Sequence, residues 1–324
     1  MTLGNGATVE YQYSDRDELL RIRTVTSSGV VLASYSYEYN DRGERVAVVR
    51  EHLNERIDYS YDDASRLTDE VSTGNVEGGG TGSPCTNFTE SLPGGNESSD
   101  SAVVTATPSA GAVPIGIASR SVTWGYDRAG NRSSQSSPAV TYVHDSENRL
   151  LSENATAVVY AYDSNGNQIS RTEGSIVETY AVDYANRVSA YSKTGSIAFT
   201  YLYAPTGQRL SKANLSTAAT EWFMNDGSDV ITDYSQAGSG PIALATSFVQ
   251  SLSIDSKVAR ITASGGGVHF YVPDALGSVT HLLNSSQNIV NSEVTDAWGK
   301  VVASSTSVAD RYGLANARRT ASRG

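Results

Sequence analysis

Four histidines, one cysteine and a large number of serines and aspartates are the groups in this chain with chemistry to offer. His52, His144, His269 and His281 are scattered, and none stands at metal-ligand spacing from a second histidine, a cysteine or a carboxylate. Cys85 is alone, so it closes no internal disulfide and builds no thiolate zinc site. A Ser-His-Asp set needs its serine on a strained turn. No Gly-x-Ser-x-Gly elbow lies between a strand and a helix, and Ser239, in Gly238-Ser239-Gly240, reads as loop. Gly78-Gly79-Gly80 and Gly265-Gly266-Gly267 lack the Lys-Ser/Thr step of a phosphate cradle. Asn87-Phe88-Thr89 and Asn154-Ala155-Thr156 match glycosylation sequons, which are common in a chain this rich in Ser and Thr. The expectation is therefore no enzyme, no cofactor and no metal.

Stepping outward to the elements that carry these groups, repetition dominates. The unit is two aromatics one residue apart, then Asp or Asn, two variable residues, Gly or Asn, and a short basic-apolar pair. Tyr37-Glu38-Tyr39-Asn40-Asp41-Arg42-Gly43, Tyr59-Ser60-Tyr61-Asp62, Trp124-Gly125-Tyr126-Asp127-Arg128-Ala129-Gly130 and Tyr160-Ala161-Tyr162-Asp163-Ser164-Asn165-Gly166 are clear copies. Tyr142-Val143-His144-Asp145 puts His in the second aromatic place, and Tyr180-Ala181-Val182-Asp183 puts Val there. Tyr201-Leu202-Tyr203-Ala204-Pro205-Thr206-Gly207 has Ala for Asp, and Tyr11-Gln12-Tyr13-Ser14 is the most degraded copy. Consecutive copies recur every ~18 to 26 residues, a period typical of stacked arrays.

The unit has a physical reading. Tyr-x-Tyr places both rings on one face of a strand. Asp or Asn opens a turn by accepting backbone N–H groups just ahead. Gly or Asn closes it, where a left-handed residue is needed. Each copy should be a hairpin with a type I turn and a bulge. One hairpin alone is marginal, so neighbours must pair side by side. Each turn offers about one carboxylate, whereas calcium takes about six to eight oxygens, so turn capping explains the aspartates better than metal binding. Tyr160, Tyr162, Trp124 and Tyr126 have two readings: a sugar-stacking face, or packing against neighbouring strands, with packing favoured.

Composition agrees. Of 324 residues 19 are Tyr, against 5 Phe and 3 Trp, which suits half-buried strands. The net charge of −11 repels phosphate backbones and disfavours nucleic acid as a partner. No stretch approaches the ~18 apolar residues of a membrane span, and the first residues carry no signal-peptide pattern.

The repeats resemble the YD repeats of the RHS family, which includes bacterial RHS polymorphic toxins, toxin-complex shell proteins and the animal teneurins. Tyr271-Val272-Pro273-Asp274-Ala275-Leu276-Gly277-Ser278 resembles the start of the RHS-associated core. Asp296-Ala297-Trp298-Gly299-Lys300 resembles its next segment, and Tyr312-Gly313-Leu314 sits where an aromatic-x-Gly stretch is usual. The resemblance implies an all-β fold of stacked antiparallel hairpins in a curled, spiralling sheet, a partial shell. Composition marks a Gly/Ser/Thr/Pro-rich mobile insertion or linker over 74–120, and the repeats and the resemblance give hairpins over 1–73 and 121–235 and a truncated core-like segment over 236–324. The residues stop short of the core's closing motif and of the downstream aspartate motif, so neither self-cleavage nor a toxin is assigned. The implied function is a non-catalytic wall of a secreted or surface-exposed bacterial protein. Its expected partners are other segments of its own longer chain or an enclosed C-terminal effector, and on the alternative adhesion reading, glycans.

Overall fold

In the computed structural model, residues 1–73, 117–195, 198–251 and 257–311 are described. The glycine runs at 78–80, Cys85, the Asn87 sequon, nearly all of the expected insertion and the Tyr312 stretch lie outside them. The alternating sequence folds as it reads. In β11, Val158–Tyr162, Tyr160 and Tyr162 are half-buried while Val159 and Ala161 between them are exposed. That is the two-residue period of a sheet with one packed face.

The described residues form 24 strands. The first run is β1 Thr8–Tyr13, β2 Leu19–Val25, β3 Val31–Tyr39, β4 Arg45–Arg50, β5 Glu55–Tyr61 and β6 Leu67–Thr73. The second begins with β7 Arg120–Tyr126, β8 Arg132–Ser136, β9 Ala139–His144, β10 Leu150–Glu153, β11, β12 Gln168–Glu173 and β13 Ile176–Val182. It continues through β14 Val188–Lys193, β15 Ala198–Tyr203, β16 Arg209–Asn214, β17 Ala219–Asp226, β18 Asp229–Ala237, β19 Ala243–Gln250 and β20 Lys257–Thr262. The last run is β21 Gly267–Pro273, β22 Val279–Asn284, β23 Ile289–Thr295 and β24 Val301–Thr306. Within each run every strand pairs antiparallel with the next in sequence, as in β3–β4, β11–β12 and β23–β24. The helical content among the described residues is one short 3-10 turn, Glu51–Leu53. No helix among them is long and apolar enough to cross a membrane.

The expected bulge is present, and it falls at the second aromatic. The register slips between Glu38 and Tyr39, Ser60 and Tyr61, Ala161 and Tyr162, and Leu202 and Tyr203. The extra residue tightens the strand's twist where the chain enters the turn.

The chain divides into two compact units. One comprises residues 1–121 with 269–317, and the other residues 122–268. In the first, early and late hairpins meet. The Asn5 amide donates to the Asn284 carbonyl at 2.9 Å, and the Gln287 amide donates to the Asn5 carbonyl at 2.6 Å. A Cβ built on Gly4 would stand 3.0 Å from the Phe270 ring, so a side chain there would require the ring to shift by a few tenths of an ångström. Val9, Ile22, Ile57, Tyr271, Leu282 and Leu283 are fully enclosed in this unit. In the second unit most strand residues are half-buried, and the enclosed apolar side chains are fewer, among them Trp124, Tyr191, Tyr201 and Phe223.

Candidate functional site

The same side chains recur from turn to turn and between neighbouring hairpins, so the candidate site is the junction between hairpins and the places where distant hairpins are tied. The turn comes first. The Asp163 backbone N–H donates to the Asn167 carbonyl at 2.9 Å, and the Gly166 N–H donates to the Asp163 carbonyl at 3.1 Å. The Asp163 Oδ1 accepts the N–H groups of Asn165 and Asn167 at 2.9 and 2.8 Å. Asp62, Asp145, Asp183, Asp274 and Asp296 repeat the same two contacts, and Asn40 does so with its amide oxygen. Asp127 accepts the Asn131 N–H in the same manner. The second carboxylate oxygen takes the next side chain, an Arg at Asp62, Asp145 and Asp183 and an Asn at Asp127 and Asp163. The Asn167 amide beside Asp163 and the Arg187 guanidinium beside Asp183 hold those carboxyls below their usual range. At Ala204, which has no acceptor side chain, the two backbone bonds remain and the Arg187 guanidinium donates to the Ala204 carbonyl at 3.1 Å.

The closing residue has positive φ in every copy: +76° at Gly43, +89° at Gly130, +85° at Gly166, +94° at Gly207, +77° at Gly277 and +75° at Gly299. Asn148, Asn186 and Ser65 adopt it too, at +63°, +58° and +58°. Asn is suited to that conformation, and Ser65 is tolerated where the surrounding bonds over-determine it.

The joint between hairpins was not apparent from the sequence. The hydroxyl of the second tyrosine donates to the first carbonyl after the preceding turn. Tyr39 reaches Leu19 at 3.0 Å, Tyr61 reaches Arg45 at 2.7 Å, Tyr162 reaches Leu150 at 2.8 Å and Tyr203 reaches Val188 at 2.9 Å. Asn225 and Gln250 occupy equivalent places further on, and their amides reach Arg209 and Val230 at 3.4 and 3.1 Å. The donor persists although the residue type changes. Guanidiniums add a second tie, since Arg149 lies over the Tyr162 ring at 5.2 Å and Arg187 over Tyr203 at 4.7 Å. Neighbouring turn tips also touch, Asn131 to Asn148 at 2.8 Å and Asn167 to Asn186 at 2.9 Å. The repeat had signalled both rings on one face of the strand. What could have disclosed the joint is that a half-buried phenol needs an acceptor.

The other aromatic positions are also engaged. Tyr37 is buried and accepts the Ala275 N–H at 3.2 Å, Tyr59 is half-buried, and Tyr142 lies under Arg132 at 4.6 Å. Trp124 is buried and its indole donates to Gln135 at 3.3 Å, and Tyr160 donates to Glu153 at 2.6 Å. Tyr126 is half-buried and Tyr201 is buried. Trp298 stands half-exposed at a turn tip. Tyr59, Tyr61 and Asp62 line one open pocket with Asn40, Arg42 and Glu44, and the other residues are distributed along the strands and turns. No group of three or more His, Cys, Asp or Glu able to hold a metal occurs among the described residues.

In the first unit, ion pairs tie distant segments. Glu55 and Glu70 are fully buried. Glu55 receives Arg50 at 2.6 Å, Arg120 at 2.9 Å and the Ser72 hydroxyl at 2.5 Å. Glu70 receives Arg120 at 2.7 Å and the Ala297 N–H at 2.7 Å, and Arg50 also donates to the Thr295 carbonyl at 2.8 Å. Burial pushes the Glu55 carboxyl up, but Arg50, Ser72 and Arg120 outweigh it and the carboxyl ends below its usual range. Beside them Glu51 takes Arg21 and Ser34, both at 2.6 Å, and Ser36. These acids escaped sequence reading, although Glu55 shares the period-two face of Ile57 and Tyr59. A carboxylate on an otherwise apolar face implies a buried cation opposite.

A family model, the teneurin YD-shell, matches residues 114–310, more than half of the chain. The chain belongs to the teneurin YD-shell family. No curated protein matches it. Solved structures share the YD-shell fold. The Photorhabdus luminescens Tc holotoxin pore superposes with a TM-score of 0.63 at 16% identity, and a crystal structure of TcdB2–TccC3–TEV with 0.63 at 18%. Each match covers 94% of this chain and 15% of the other, so the chain spans a small part of those assemblies. The fold is that of a structural shell module.

Proposed function

We propose that this YD-shell chain is a wall segment that encloses or presents a polypeptide belonging to its own longer parent, without catalysis of its own, in a secreted or surface-exposed bacterial protein. The observation that carries it is the joint repeated in register: at six places a hairpin puts a hydroxyl or amide on the hairpin before it. Such a device stiffens a continuous sheet and leaves no converging side chains for turnover. The toxin complexes that share the fold are larger assemblies, which supports reading this chain as one part of a wall. Because Trp124, Tyr160 and Tyr162 spend their polar atoms within the sheet, the wall reading is better supported than a sugar-stacking face.

The test is protease protection in the full-length parent. A polypeptide C-terminal to the wall should survive a protease dose that digests the same polypeptide made alone, and should become sensitive when Tyr162 and Tyr203 are both changed to Phe. Equal digestion in both contexts would overturn the proposal.

A further inference from the structure

Two imidazoles meet inside the first unit. His52, in the 3-10 turn after β4, and His281, in β22, have ring centroids 5.2 Å apart at 64°, with Tyr35 of β3 on the other side of His52 at 4.9 Å. Early and late hairpins touch here. His281 is buried beside Thr280, whose hydroxyl donates to the Val272 carbonyl at 3.1 Å and therefore turns a lone pair to His281 Nδ1 at 3.0 Å. His52 Nδ1 is occupied by the Ser34 backbone, with the N–H at 3.1 Å and the carbonyl at 2.9 Å. His52 Nε2 is buried and has no hydrogen-bond partner among the described residues.

We propose that the His52–His281 contact is an acid-sensitive joint: proton uptake parts the 3-10 turn from β22 within the first unit. A protonated His52 would bury a charged ring with one N–H unmatched. The charges around the pair do not offset it. Arg50, at the end of β4, adds a like charge to both rings. Glu51 in the turn itself is committed to Arg21, Ser34 and Ser36, and Glu55 of β5 to Arg50, Arg120 and Ser72. Asp274, in the turn between β21 and β22, is capped by the Leu276 and Ser278 N–H groups. Charging both rings would set two cations in contact.

Burial, with Arg50 adding to it, pushes His52 down to about 4 and His281 in the same direction. An unfolded histidine titrates near ~6.5, so the unfolded chain binds more protons below that pH. The stabilisation from the neutral rings is present above about pH 6.5 and is lost as pH falls toward the folded value. His52 alone lowers the folding equilibrium of the first unit about 30-fold at pH 5.

The experiment is amide hydrogen exchange on the unmodified protein at pH 7 and pH 5, corrected for intrinsic exchange, beside melting of His52→Gln at both values. Protection across Val279–Asn284 and Glu51–Leu53 should fall at least 10-fold at pH 5, ahead of β11–β16, and His52→Gln should flatten the pH dependence. Unchanged protection in those two segments, or the same pH dependence in His52→Gln, would overturn the proposal. If His52→Gln does not fold, the exchange measurement decides by itself.

Discussion

The two units take the same repeat and hold it together differently. In the second, each hairpin is tied to its neighbours: Tyr162 to Leu150, Arg149 over Tyr162, Asn167 to Asn186. The ties span 12 to about 20 positions, and the enclosed side chains are few. In the first, the same turns and joints recur, but Asn5, Arg50 and Glu70 bond to residues 279, 245 and 227 positions away. The repeat thus supplies a local rule that suffices for a sheet. Fully enclosed carboxylates, Glu55 and Glu70, occur where early and late hairpins close on each other, whereas the buried charges of the second unit, Glu178 and Arg260, keep a little exposure. An array with nearest-neighbour ties should lose hairpins piecemeal, whereas a unit closed by distant contacts should melt together.

The strongest way to break this contrast is Glu55→Ala. It leaves Arg50 enclosed without its carboxylate and Arg120 with Glu70 alone, and should cost the first unit about 3 to 5 kcal/mol. Differential scanning calorimetry should show one transition lowered, with the melting of β11–β16 unmoved. A shift of both would mean the units are not separable in this way.

Gly166→Val tests the local rule. The Gly166 φ is +85° and no atom stands within 4 Å of a Cβ there, so the cost is backbone strain alone, about 1 to 2 kcal/mol. Exchange should rise in β11 and β12 and stay unchanged in β21–β24. Uniform loosening would show that the second unit is more cooperative than its ties suggest.

A smaller effect sharpens the role of the joint. Tyr162→Phe removes one hydroxyl and should cost about 1 kcal/mol by denaturant melting. Val182 occupies the same place in its copy but brings no donor, and the matching acceptor is the Gln168 carbonyl. Val182→Tyr should therefore stabilise the second unit by about 0.5 to 1 kcal/mol. Destabilisation would show that the bulge at Val182 does not aim a ring as Tyr162 is aimed.

The smallest effect is acid loosening of the turns. Asp145, Asp163 and Asp183 have folded pKa values below the usual carboxylate. Their stabilisation is present above about pH 4 and is lost as pH falls through the lower folded values. NMR titration of the carboxyl carbons should place each midpoint below about 3.8.

Much of this was legible in the sequence. The Asp-to-Gly spacing announces the turn because only a short acceptor side chain and a left-handed residue satisfy that backbone, and the same reasoning covers Asn148 and Asn186. The bulge followed from the turn. The tyrosine joint did not, because its acceptor is a backbone carbonyl 12 to 20 positions upstream and any residue supplies one. Glu55 and Glu70 were missed for another reason. Their partners Arg120 and Ala297 belong to segments that only the folded chain brings near.

The tyrosine joint always points backward along the chain. A hairpin supplies the donor, and its predecessor supplies the acceptor. The sheet therefore has a polarity that its antiparallel strands alone would not confer. As a nascent chain emerges from its N-terminus, each arriving hairpin that carries the joint fastens one already made, whereas the ties of Asn5, Arg50 and Glu70 wait for the late hairpins. Assembly in that order works like a ratchet, with the newest hairpin the least fastened.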